Sequence, residues 1–202
     1  MLQYYSQLGQ DVHALALFER DVEPYFVDIG AHDGITLSNT YLLEKNGWKG
    51  LCIEANPRLY SILKSNRGAG STCLQEAVFS ETGKVFSFRE ADLLGGITDY
   101  MSSYLEHTKN AKTFEVTTRS LNDILLKNNA PTYIQFLSID TEGSELEILR
   151  GIDFETYSFG LISLEHNFEE PRRTEMECFL KQKGYGKLRE NHWDDDYVKW
   201  PV

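Results

Sequence analysis

What this chain lacks narrows its function before anything it contains does. Basic residues are outnumbered, 20 Lys and Arg against 31 Asp and Glu, for a formal charge of −11. Nucleic-acid affinity comes from clustered cations that neutralise phosphates. The one adjacent basic pair here, Arg172-Arg173, follows Pro171 at an expected helix start and reads as a solvated face. No nucleic-acid partner is expected. The 3 cysteines, Cys52, Cys73 and Cys178, are scattered without C-x-x-C spacing, which excludes the common zinc frameworks and leaves buried free thiols as the expectation. No apolar run approaches the roughly 18 residues that cross a bilayer, and Met1–Ser6 shows no basic region leading into an apolar core. A cytoplasmic protein without a membrane partner is expected, and its oligomeric state is left open.

A third glycine is also missing. Tyr25-Phe26-Val27-Asp28-Ile29 is a short apolar strand that ends in Gly30-Ala31-His32-Asp33-Gly34. Glycines at such a turn allow a tight backbone and close ligand approach. A dinucleotide site needs G-x-G-x-x-G so that a pyrophosphate can rest on the helix N-terminus, and here only Gly30 and Gly34 are present. This disfavours a nicotinamide oxidoreductase and points to a nucleoside cofactor without pyrophosphate. S-adenosylmethionine fits. Glu54, closing the next apolar run Leu51-Cys52-Ile53, stands where an acid accepts hydrogen bonds from ribose hydroxyls, and His32 either lines the cofactor or caps the turn.

The 202 residues read as one domain. An amphipathic helix is expected within Asp11–Arg20, in an N-terminal helical segment covering residues 1–24. Strands and helices then alternate: strand Tyr25–Gly30, helix Ser38–Asn46, strand Gly50–Glu54, a helix from Pro57 to about Ser65, strand Thr72–Val78. The alternation resumes with helix Leu121–Asn128, strand Tyr133–Ile139, helix Ser144–Arg150, strand Gly160–Glu165 and a helix over about 172–183. This predicts an α/β fold whose mostly parallel sheet carries helices on both faces. Val85–Phe88 reads as a strand extension and Ala91–Lys112 as a lid loop, with Tyr100 and Tyr104 available to an acceptor. Near the C-terminus, Asn191–Asp196 is expected to be a polar turn between antiparallel strands.

Two further strand ends carry chemistry. Phe136-Leu137-Ser138-Ile139 runs into Asp140-Thr141-Glu142-Gly143-Ser144-Glu145, and Leu161–Leu164 runs into Glu165-His166-Asn167. Open α/β sheets bind ligands at the carboxyl ends of their strands. Asp140, Glu142, Glu165 and His166 are therefore the candidate catalytic groups, able to orient a hydroxyl and take its proton. Asp140, Glu165 and His166 alternatively offer ligands to Mg2+ or Mn2+. For Glu145, capping of the following helix is the expectation.

Taken together, Ser6-Gln7-Leu8-Gly9-Gln10-Asp11, Val27–Ala31 with Gly34, Gly47-Trp48, Ile53-Glu54-Ala55-Asn56-Pro57, Glu76-Ala77-Val78, Ile139-Asp140, Glu142–Glu145 and Glu165 resemble the FkbM family of S-adenosylmethionine-dependent methyltransferases over nearly the whole chain. The resemblance implies a Rossmann-like class I methyltransferase fold: a seven-stranded sheet closed by an antiparallel hairpin. It also implies methyl transfer to oxygen, with sugars, glycans or small natural-product hydroxyls as acceptors. By the same likeness Asp28, Gly30 and Gly34 hold the cofactor, Glu54 its ribose and Ala77 its adenine surroundings, while Gln10 and Asp11 close over the site. Ser138 stands where the family often has Lys. A regulatory protein that binds the cofactor without catalysis is the alternative.

Overall fold

The computed structural model describes residues 4–101 and 106–199. Seven strands form the main sheet: β1 (Tyr25–Ile29), β2 (Lys49–Ile53), β3 (Ser71–Leu74), β8 (Tyr133–Ile139), β9 (Ser158–Glu165), β10 (Tyr185–Asn191) and β11 (Asp194–Lys199). Their spatial order is β3-β2-β1-β8-β9-β11-β10. The first five are mutually parallel, and β11 runs antiparallel to both β9 and β10. This is the class I methyltransferase arrangement. The strand order reverses between β1 and β8, and at such a switch point the chain leaves its strands in opposite directions and opens a crevice.

Central strands in a parallel sheet are covered on both faces and so read as continuous apolar runs. Phe26 and Val27, adjacent in β1 and pointing to opposite faces, are both fully buried and belong to different core clusters. Around the sheet lie helices α1 (Gln10–Leu17), α2 (Tyr41–Lys45), α3 (Pro57–Asn66), α4 (Leu121–Lys127), α5 (Glu145–Arg150) and α6 (Arg172–Gln182). No helix among the described residues is long and apolar enough to cross a membrane.

Four expectations are corrected. The single strand Thr72–Val78 is two strands: β3 stops at Leu74, and β4 (Ala77–Phe79) leaves for a second sheet. That four-stranded sheet, ordered β4-β7-β5-β6, also contains β5 (Val85–Glu90), β6 (Gly96–Ile97) and β7 (Lys112–Ser120), and it packs around Phe79, Phe88, Ile97 and Val116. The stretch Ala91–Lys112 is accordingly not a plain loop. It holds a 3-10 turn at Asp92–Leu94 and strand β6, and its Tyr104 lies outside the described residues. The polar turn Asn191–Asp196 shrinks to His192-Trp193, because β11 begins at Asp194 and pairs Asp194, Asp195 and Asp196 with Glu165, Leu164 and Ser163. Of the cysteines, all free, only Cys52 is buried, and Cys178 is exposed.

Candidate active site

Gly30 sits at the switch point with φ +86, and a Cβ there would lie 1.7 Å from the carbonyl oxygen of Asp140. The ends of β1 and β8 thus converge so tightly that only glycine fits, and this contact, as much as any ligand, dictates the residue. Beyond them opens a cavity of about 440 Å³, within the size range of small-molecule sites. Asp28, Gly30, His32, Glu54, Asp140, Glu142 and Glu165 all line it.

Glu54 is buried at the end of β2. Its Oε2 accepts the His32 N–H at 2.9 Å and its Oε1 the Asn56 N–H at 2.8 Å. These two bonds fix the carboxyl plane while each oxygen keeps a lone pair for a ligand. Burial pushes the Glu54 carboxyl up to about 7, against the pull of those N–H donors. A smaller space of about 50 Å³ adjoins at Glu54, lined by Ala55, Ala77, Val78, Phe88 and Ile97. Glu76, Asp140, Thr141 and Ser144 line it as well, and it contains Ala77, where the resemblance places the adenine surroundings.

Asp28 accepts Thr40 Oγ1 at 2.5 Å, and the fully buried Arg67 guanidinium lies 3.7 Å away. Burial raises the Asp28 carboxyl, and Arg67 and Thr40 oppose the rise. Gly34 serves this arrangement from behind. With φ +83 it faces Leu63 and Arg67, and a Cβ would stand 2.6 Å from the Leu63 side chain. It is absent from the cavity wall and occupies a packing position beneath the turn.

Gln10 lines the cavity from α1; its Oε1 accepts Leu8 N–H and its Nε2 donates to Asp194. Asp11 does not reach the cavity. It is fully buried and ties down the N-terminal segment, accepting Tyr5 N–H at 2.8 Å and Ser6 Oγ at 2.5 Å. A helix turns adjacent residues about 100° apart, so the neighbour of a cavity residue faces elsewhere.

Across the cavity three carboxylates converge. One oxygen from each of Asp140, Glu142 and Glu165 lies within 4.8 Å of the others, and Asp140 hydrogen-bonds Glu165. Burial, followed by neighbouring acids, pushes Asp140 up to about 7 and Glu142 up to about 9, and raises Glu165 as well. Carboxyls this close cannot all ionise, so the group holds protons at neutral pH. His166 does not join them. It is buried off the cavity wall, its Nδ1 accepting Phe168 N–H at 2.9 Å and its Nε2 lying 3.5 Å from Asp195. The third member of a potential cation-binding trio is therefore Glu142. Glu145, buried, accepts Thr141 N–H, Thr141 Oγ1 and Gly143 N–H, and so shapes the loop that carries Glu142.

The sequence reading missed several cavity residues. Asp194, buried beside this group, is pushed up to about 7 by burial and then by Asp140. Leu37, Leu93 and Phe168 form part of the wall yet are 40%, 46% and 61% exposed, so they lie at its mouth. Asn167 and Phe168 hold left-handed φ values of +47 and +56, uncommon for such residues. Ser138, in the place of the family's Lys, is buried and accepts Asn39 Nδ2 at 2.9 Å.

Residues 28–186 match the model of the methyltransferase FkbM domain. The chain belongs to the FkbM methyltransferase family. No curated protein matches this FkbM chain. Among solved structures it is similar to the METTL16 methyltransferase domain, with TM-score 0.54 and 14% identity over 94% of this chain, and it spans 65% of that one. The N-terminal domain of human METTL16 in complex with S-adenosylhomocysteine gives TM-score 0.52 and 13% identity, covering 100% and 73% of the two chains. Precorrin-6y C5,15-methyltransferase from Geobacter metallireducens GS-15 gives 0.50 and 14%, covering 95% and 87%. At these identities the likeness is one of fold.

Proposed function

We propose that this FkbM protein transfers a methyl group from S-adenosylmethionine to a hydroxyl oxygen of an uncharged small-molecule or glycan acceptor. The observation that carries this reading is the meeting, in one cavity, of the Glu54 cradle with the proton-holding Asp140–Glu165 pair. The family match and a neighbour solved with S-adenosylhomocysteine support the cofactor. When bound, the cofactor supplies an electrophilic methyl on a sulfonium, already activated for displacement.

The chain's own groups do the rest. Glu54 receives the ribose hydroxyls, the Ala77 slot takes the base, and Asp28, Gln10 and His32 border the remaining half. Asp140, with Glu165 sharing its proton, accepts the hydroxyl proton as the new C–O bond forms and the C–S bond breaks. Holding the two reactants in line provides much of the acceleration.

The acceptor's charge follows from the wall. It contains seven carboxylates, Asp28, Glu54, Asp92, Asp140, Glu142, Glu165 and Asp194, and no Lys or Arg among the described residues. A phosphate or nucleic-acid acceptor would find no cation on this wall to pair with. The exposed Leu37, Leu93 and Phe168 at the mouth suit the apolar body or ring face of a hydroxylated molecule.

Calorimetry with S-adenosylmethionine, S-adenosylhomocysteine and NADH, followed by turnover on a panel of neutral hydroxyl compounds, tests the reading. Micromolar binding of the sulfur nucleosides with ether formation is the expected result. Binding without turnover would favour a regulatory role, and absence of binding would remove the methyltransferase activity. The close spacing of Asp140, Glu142 and Glu165 favours one second reading, in which they hold Mg2+ or Mn2+ to position the acceptor oxygen. Loss of turnover on chelation, restored by either ion, separates it from metal-free transfer.

A further inference from the structure

Glu165 belongs to the carboxylate group and Phe168 to the cavity mouth, and His166 lies between them in sequence, 1% exposed and off the wall. The two residues that follow it, Asn167 and Phe168, line the cavity with φ +47 and +56. Two consecutive non-glycine residues in the left-handed region persist only where their surroundings over-determine them. Backbone supplies part of that hold: Trp193 C=O accepts His166 N–H at 2.8 Å and Asn167 N–H at 3.2 Å, and His166 C=O accepts Glu169 N–H at 2.8 Å. The Phe168 N–H goes instead to a side chain, donating to His166 Nδ1 at 2.9 Å. The same imidazole meets the Phe168 ring edge-on, with centroids 5.3 Å apart.

Because Nδ1 accepts, the ring's proton is on Nε2, which faces Asp195 Oδ1 at 3.5 Å. Asp195 is itself held by Arg173 at 2.8 Å and Lys187 at 3.1 Å. The imidazole therefore ties the mouth turn to a charge-compensated anchor in the sheet. On the other side of the turn, Asn167 Nδ2 reaches Glu142 Oε2 at 3.5 Å. We infer that His166 is a positioning residue: through Nδ1 it sets the Asn167–Phe168 turn, and so governs acceptor affinity without touching the acceptor. This inference rests on the proposed methyl transfer. It divides two neighbours, Glu165 serving the chemistry and His166 the shape of the mouth.

The test compares His166→Asn with His166→Leu. The two new side chains are nearly isosteric and both lose the Nε2 contact, but only Asn offers an oxygen at the place of Nδ1, from which an Asn side chain readily bonds the N–H two residues on. Amide hydrogen exchange at Phe168, followed by NMR, reads the bond, and thermal midpoints read stability. Methyl transfer to a panel of neutral methyl glycosides and alcohols reads function. The expected result is Phe168 exchange about tenfold faster in His166→Leu and close to wild type in His166→Asn, as for one lost hydrogen bond. On the panel compound that wild type methylates fastest, KM should rise about fivefold in His166→Leu with kcat within about twofold, and His166→Asn should restore KM. Equal exchange in all three proteins, or a KM that follows the thermal midpoint rather than Phe168 exchange, would overturn the inference. Failure of wild type to methylate any panel compound would remove the methyl-transfer proposal and the affinity role with it, while faster exchange in His166→Leu alone would still show that Nδ1 holds the turn.

Discussion

The two halves of the cavity are built in opposite ways. On the Glu54 side, charge is fixed by backbone: a carboxylate held by two N–H groups, a glycine forced by the neighbouring strand, and a capped helix. On the Asp140 side, acids from three separated segments face one another with no Lys or Arg on the cavity wall among the described residues, Arg172 lying behind the Glu142 loop, and the loops carrying Glu142 and Phe168 hold left-handed backbone. Left-handed residues occur in both halves, His32 at φ +50 in the first and Glu142 at φ +58 in the second, so the contrast lies in the acids: a single carboxyl held by backbone in the first and a crowded group in the second. The same contrast appears within three consecutive acids. Asp195 contacts Arg173 at 2.8 Å and Lys187 at 3.1 Å, and its carboxyl is held below the usual range by the neighbouring His166, Arg173 and Lys187 despite burial. Asp194, one residue earlier, has the neutral Gln10 amide and is pushed up to about 7. Charge compensation separates scaffold acid from site acid here.

If the halves are functionally separate, each can be broken alone. Asp140→Asn is expected to lower turnover by about 10³-fold, the middle of the range for losing a general base, with S-adenosylhomocysteine affinity within about threefold of wild type. Single-turnover methyl transfer and calorimetry measure the two. A large affinity loss would move Asp140 into the cofactor half. Conversely, Glu54→Gln should weaken S-adenosylhomocysteine about 10- to 100-fold, as expected for hydrogen bonds to a charged group, and leave turnover at saturating cofactor close to wild type.

Legibility in the sequence follows the same division. Glu54 and Asp28 could be read because their surroundings are local: an apolar strand, a turn, and an acid at the next strand end. Asp11 lies off the cavity wall because helix phase, not sequence adjacency to Gln10, decides which side chain faces the cavity. His166 was drawn in by its neighbour Glu165, although residues leaving a strand diverge to opposite faces. Asp194 was hidden in a run of acids that reads as a turn. Its burial depends on pairing with Glu165 in β9 and on contact with Gln10, 184 residues away. The second sheet was illegible for a related reason. Only strand partners distinguish β3 from β4 across Gln75-Glu76, and those partners are β2 and β7.

Glu142 gives the acidic half a stability signature. Its carboxyl is raised by burial and by Asp140 to about 9, from an ordinary value of 4.5. A carboxyl that binds its proton more tightly folded than unfolded contributes stability fully present below about pH 4.5 and lost as the pH rises through about 9. Glu142→Gln removes that dependence. Its thermal midpoint should therefore match wild type near pH 4 and exceed it at pH 9, the gap opening as the pH rises between those values. Parallel curves for the two proteins across this range would show that the carboxylates are not crowded in solution.

The smallest expected effect belongs to the mouth. Phe168 is 61% exposed, and its ring makes an edge contact with His166 at 5.3 Å. Removing an exposed ring costs little stability, so Phe168→Ala should leave the thermal midpoint within about 2 °C of wild type. If the ring covers the acceptor's body, its loss should raise the acceptor KM about fivefold, the equivalent of roughly 1 kcal/mol from an aromatic contact. Cofactor affinity should not move, because Phe168 stands on the acceptor side and Glu54 keeps both of its N–H donors. A change in cofactor affinity with no change in acceptor KM would reverse the assignment of the mouth and place Phe168 over the cofactor.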